Sequence, residues 1–378
     1  MSDGPDVTSV DGLVERLQEL HQRTQETPLF NPVFQLAHEL SRHLEAGDID
    51  LARMEALVTE LECEALQSRS RRLRRMVGPV GQPHDWIGSA DSFDEFRMRW
   101  EVPQLHAVFT AHPTFLLTPQ QSAAVAQAAE GDSDIGQEAC VAPHERPQIT
   151  LDYEHARALR AIANAQDARD AMVARLLETA QAEWPEDWHR LAPLPFRFAS
   201  WVGYDMDGRT DIKWYTSIAF RLSEKAERLA RYAASLEAID AQHPLLATLR
   251  GAADYSSARA DDFRQDLSEP ADLTAAANRL TSDDPHKLLS LGPVIERLRD
   301  EARSAKPERA IALKVLVSAM EADGLGMGWI HFRVNSSQLH NAIRRRIDPD
   351  NTLDLASKGA IAALRDILKK VRRRSGNS

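Results

Sequence analysis

Thr110-Ala111-His112-Pro113-Thr114 sets an imidazole between two hydroxyls, directly after the apolar run from Leu105 to Phe109. An imidazole titrates near neutrality, so His112 there can transfer a proton or hydrogen-bond a phosphate oxygen. Taken alone, such a histidine is more often a satisfied core residue. A second apolar run, from Pro195, empties into Trp201-Val202-Gly203-Tyr204-Asp205-Met206-Asp207-Gly208. Its carboxylates, Asp205 and Asp207, are oxygen ligands of the kind magnesium takes, and equally residues that cap turn amides, which is the preferred reading. The third run, Gly328-Trp329-Ile330-His331-Phe332-Arg333, ends in a guanidinium that can fork two oxygens of a phosphate or carboxylate, or form a structural ion pair. His331 shares the face of Arg333 at a spacing of two. Arg197 alternates away from Phe196 and Phe198 to line an interior or pair internally, while Trp201 and Trp329 are expected to pack. His340 follows Ser336 and Ser337 at an expected helix start and is a weaker candidate.

The three runs are rich in Val, Phe, Ile and Trp and are bounded by Gly and Pro, so each is expected to be a strand, with Pro113 ending the first. Helical stretches separate them. Apolar spacing of three and four marks helices over 12–25, 31–46, 50–76, 152–182 and 211–239, then over 244–320 with breaks near Pro270 and Pro285, and last over 353–373. Residues 123–148 carry Gly131-Asp132-Ser133-Asp134 and Ala142-Pro143 and are expected to form an exposed loop. The basic run from Arg69 to Arg75 suits a solvated helix C-terminus, where cations meet the negative end of the dipole. Strands that each deliver polar groups at their C-terminal ends, with helices between, predict a chain that is mainly α with a few parallel strands. The architecture expected is an incomplete (β/α)8 TIM-type barrel surrounded by many helices. Three strands do not close a barrel that needs eight. The expected organisation is a helical region over 1–95, the partial barrel over 96–345 and a C-terminal helix with a basic tail over 346–378.

The Thr110–Thr114 strand end, the segment Phe196-Arg197-Phe198-Ala199-Ser200-Trp201 running to Gly208, and Phe332-Arg333-Val334-Asn335 resemble, in the same order, motifs of the phosphoenolpyruvate carboxylase family. The resemblance covers roughly residues 95 to 345, the N-terminal part of such an enzyme. It implies conversion of phosphoenolpyruvate and bicarbonate to oxaloacetate and phosphate, an anaplerotic reaction. His112 would serve the step in which bicarbonate attacks the phosphate, and Arg333, with Thr110 and Thr114, would bind substrate. Mg2+ or Mn2+ is the implied cofactor, but its ligands lie in a C-terminal half that this chain lacks, as do the catalytic lysine and the Gly-Arg-Gly-Gly loop. No metal ligand is therefore expected in this chain. It departs from the family at Phe115, Leu116 and Leu117 after the histidine, at Met206 in place of arginine, and at Ala199 and Tyr204 in place of glycine. The alternative expectation is a non-catalytic remnant, or a subunit requiring a separate C-terminal chain. A homo-oligomer or that complementary chain is the expected partner.

A net charge of -11 argues against general affinity for nucleic acid. With 43% hydrophobic residues over 378 positions, the chain can bury one large core or two smaller ones. Cys63 and Cys140 lack metal-ligand spacing, so no disulfide framework is expected and a reducing compartment is the default. The first residues carry no basic segment followed by an apolar core, and no apolar run approaches about 18 residues. A soluble, cytoplasmic protein is expected, with no membrane partner.

Overall fold

The computed structural model describes residues 6–26, 31–77, 87–88, 90–110, 117–131, 133–140, 148–205 and 211–331. The chain divides into two compact units, one of residues 1–86 with 113–149, the other of 87–112 with 150–378.

The first unit is helical. Helices α1 (Val10–Glu26), α2 (Pro32–Ala46) and α3 (Leu51–Val77) bury Val10, Leu13, Ile49 and Leu57 together. Asn31 starts α2 by accepting from the Phe34 amide at 3.1 Å, with Pro32 at the first helical position, and Gly47 closes it at φ 78°. A further helix, α5 (Pro119–Glu130), stands where an exposed loop was expected. Its alanine-rich sequence lacks an apolar stripe, but Thr118 and Gln121 satisfy each other's backbone amides in a capping box, at 3.1 and 3.0 Å. Leu66 of α3 packs with Val125 and Ala128 of α5 and with Ile135. The basic end of α3 is mostly exposed, as expected, and two of its arginines also reach the chain just after α5. Arg74 donates to the Ser133 carbonyl at 2.9 Å, and Arg71 lies 3.4 Å from Asp134.

The packing of α3 against α5 also overturns the expectation for the cysteines. Cys63 of α3 is joined to Cys140 by a disulfide, with Cα atoms 5.5 Å apart across 77 residues of sequence. A pairing set by tertiary packing leaves no spacing signature along the chain.

The second unit holds α4 (Phe93–Trp100), α6 (Leu151–Glu183), α7 (Trp214–Ile239), α8 (Leu245–Arg264), α9 (Pro270–Thr281), α10 (Gly292–Ser304) and α11 (Pro307–Asp323). Pro270 and Pro307 stand at helix starts, where a missing N–H costs nothing. Its largest core gathers Leu229, Leu236, Leu249, Leu298, Leu313 and Met320 from α7, α8, α10 and α11. Strands β1 (Leu105–Phe109), β2 (Phe196–Ser200) and β3 (Trp329–Ile330) form one parallel sheet in that order. Leu105 pairs with Phe196 and Phe109 with Ser200, while Trp329 pairs with Ala199. The protein is thus mainly α with a small parallel sheet. Among the described residues the sheet has three strands. No helix of the described residues is long and apolar enough to cross a membrane.

Candidate functional site at the strand ends

Ser200 fastens the C-terminal ends of the three strands. Its hydroxyl donates to the Phe109 carbonyl of β1 at 2.9 Å and accepts from the Val202 amide at 3.1 Å. Its own carbonyl accepts from the amide of His331, just after β3, at 3.0 Å. The three strands therefore end side by side.

Side chains alternate across a pleated strand, so residues in register share a face. On one face α6 sets Arg169 against the Phe198 ring, 5.7 Å from its centroid. The other face carries His106, Arg197, Trp329 and His331. The guanidinium of Arg197 sits 4.9 Å from the centroid of the Trp329 ring, a cation–π contact. The His106 and His331 rings stack at 5.5 Å, and Trp201 approaches His331 at 6.5 Å. Trp329 was expected to pack; it is 50% exposed, and its indole N–H donates to the Ala322 carbonyl at 3.3 Å. His106 and His331 are exposed as well. Two imidazoles and a guanidinium on an open face can bind an anion and pass protons. His106 was not singled out in the sequence, although its place opposite Arg197 follows from the same period of two that marks the strand.

Of the residues singled out for catalysis and binding, Thr110 is half-buried directly after β1, and Asp205 is half-buried at the end of the turn after β2. His112, Thr114, Asp207 and Arg333 lie outside the described residues, as do Phe115, Met206, His340 and the 346–378 region. Among the described residues no group of three His, Cys, Asp or Glu side chains could hold a metal ion.

The turn after β2 is held from beneath by a buried polar network. Gly203, at φ 87°, offers its carbonyl to the Ser217 hydroxyl of α7 at 2.7 Å. A Cβ at this glycine would lie 2.4 Å from the Phe220 ring, so both the backbone and the space require glycine. The Tyr204 hydroxyl donates to Glu224 Oε1 at 2.6 Å, and His155 Nε2 of α6 lies 3.0 Å from the same oxygen. The other oxygen of Glu224 meets Arg221 at 3.2 Å, and the His155 ring stacks on Phe220 at 3.9 Å. Burial opposes ionisation of Glu224, but the hydrogen bond from His155 and the charge of Arg221 outweigh it and hold the carboxyl below its usual range. Burial and the Glu224 charge push the Tyr204 phenol well above its usual value. Tyr204 thus anchors the turn.

A second network holds the link into β3. Asp323, at the end of α11, accepts from Arg169 at 2.8 Å through each carboxylate oxygen and from Arg228 at 2.7 Å. Gln166 accepts from Arg228 at 3.0 Å and donates to the Met327 carbonyl at 2.9 Å. The Tyr232 hydroxyl donates to the Gly324 carbonyl at 2.9 Å; burial is the main cause that lifts its pKa to about 12. Gly328 passes so close to β2 that a Cβ would stand 2.8 Å from the Phe198 carbonyl oxygen. These contacts fix the approach of β3, and with it His331. No protein-family model and no curated protein matches this chain.

Proposed function

We propose that this chain is a phosphoenolpyruvate carboxylase-type protein, acting at the C-terminal ends of β1, β2 and β3 on phosphoenolpyruvate and bicarbonate. The observation that carries the reading is the parallel alignment of the three motif-bearing strands through Ser200, which sets Thr110, the Trp201–Asp205 turn and His331 at neighbouring strand ends. A (β/α)8 barrel assembles its active site from such ends. In this reading His112 assists the attack of bicarbonate on the phosphorus, which forms carboxyphosphate and the enolate of pyruvate. Arg333 forks the substrate phosphate, while Thr110 and Thr114 hydrogen-bond it. The Mg2+ or Mn2+ of the resemblance belongs with ligands beyond this chain.

A second reading is favoured by the open face of the sheet. Parallel sheets are ordinarily covered on both faces, yet His106, Trp329 and His331 are exposed, and among the described residues β1 and β3 each have one strand partner. A subunit that completes its barrel with strands from a separate chain would carry such a face. The test is oxaloacetate formation by the purified chain with phosphoenolpyruvate, bicarbonate and Mg2+, coupled to malate dehydrogenase. Turnover abolished by His112→Asn supports the first reading. Turnover only after a complementary chain is added supports the second. Turnover that His112→Asn leaves unchanged refutes both.

A further inference from the structure

On the side of the second unit where the chain enters β2, a hollow of about 410 Å3 is lined by His189, Arg190, Arg299, Arg303, Lys314 and Glu321, among others. Lys314 projects from α11, and its Nζ donates to the His189 carbonyl at 2.8 Å. The other cations of the hollow each hold a carboxylate: Arg299 binds Glu321, Arg303 lies 2.6 Å from Asp300, and Arg190 lies 2.9 Å from Asp187. Among the described residues no carboxylate stands within ion-pair distance of Lys314. Its amine is therefore a half-buried group facing α10 cations, with only a neutral carbonyl as partner.

Such a position disfavours an ammonium ion. Burial is the largest cause and the Arg299 charge the next; Arg303 adds to them, Glu101 and Glu321 oppose, and the amine is lowered to about 8. Near physiological pH such a lysine keeps a larger neutral fraction than an ordinary one, and the neutral amine is a nucleophile.

We propose that Lys314 is a carbamylation site, where the amine adds reversibly to dissolved carbon dioxide. The nitrogen lone pair forms the N–C bond, one C=O π pair moves onto oxygen, and the nitrogen releases one proton to water, so the neutral amine becomes a carbamate anion. Nothing is oxidised or reduced. The arrangement that opposes the ammonium suits the product, because Arg299 and Arg303 would face a negative group instead of a positive one. The hollow lies open to solvent, so carbon dioxide reaches the amine. The inference is independent of the reaction proposed at the strand ends.

The test uses the full chain, incubated at pH 8 in isotopically labelled bicarbonate, trapped with triethyloxonium ion and mapped by peptide mass spectrometry. Exposed Lys213 and Lys306 serve as internal references. An ordinary lysine has only a small neutral fraction at this pH, so Lys314 is expected to carry the labelled ethyl carbamate at roughly a hundredfold their level. Its occupancy should rise with pH through about 8, and Arg299→Gln should lower it while Lys213 and Lys306 stay unchanged. Modification of Lys314 no greater than that of Lys213 and Lys306 would overturn the proposal.

Discussion

Replacing Asp323 with alanine withdraws the one carboxylate that Arg169 and Arg228 share. All three side chains are at most 2% exposed, so water cannot take its place. Three charge-assisted bonds are lost, each worth about 1.5–3 kcal/mol, which sets a ceiling of roughly 9 kcal/mol. Asp170 stays 2.8 Å from Arg169 and keeps part of the compensation, and Gln166 keeps its bond to Arg228. The expected loss is therefore about 4 kcal/mol, within the range for breaking a buried ion pair. Six of the seven tryptophans belong to the second unit, so intrinsic fluorescence follows its unfolding. At a urea dependence of about 3 kcal/mol per molar, the midpoint should fall by about 1.3 M. The triple variant Arg169→Met, Arg228→Met, Asp323→Leu should recover most of it, since apolar side chains leave no buried charge to compensate. A midpoint shift for Asp323→Ala below about 0.3 M would refute the argument that this network carries the link into β3.

Glu224 is held below its unfolded pKa, so the stability it contributes is present above the usual glutamate range and is lost as pH falls through its folded value. Unfolding followed by fluorescence should show this acid-side loss, flattened in Glu224→Gln. Gly203→Ala should cost about 2–4 kcal/mol, because the positive φ and the Phe220 ring act together, and thermal melting checks it. Reduction of Cys63–Cys140, or Cys63→Ser, opens a loop of 77 residues and should destabilise the first unit by about 4 kcal/mol. Far-ultraviolet melting with and without dithiothreitol measures that loss; identical curves would contradict it.

Long periodic helices were legible from the chain. Leu159, Ile162 and Leu176 mark α6, and Leu222, Leu229 and Leu236 mark α7, to within a few residues of their ends. β1 and β2 were legible too, because β-branched and aromatic runs stop at Pro113 and Gly203. Helix α5 was not, since its alanines and glutamines carry no stripe and its start is fixed by the Thr118 cap. Pairs that fold together from afar leave no local trace. Arg169 meets Asp323 across 154 positions and His155 meets Glu224 across 69, and neither partner names the other in sequence. A charged Arg169 beside the small apolar residues of α6 was the available signal. For the site, alternation along β1 and β2 foretells that His106 and Arg197 share a face, whereas the part of Ser200 in joining three strand ends is a tertiary fact.

The central claim is that the strand ends receive phosphoenolpyruvate, and equilibrium binding tests it most directly. Calorimetric titration of the full chain with phosphoenolpyruvate should give saturable binding, weakened about tenfold or more by Arg333→Lys, which keeps the charge but loses the fork worth about 1.5–3 kcal/mol. Absence of saturable binding, or binding that Arg333→Lys leaves unchanged, would contradict the account.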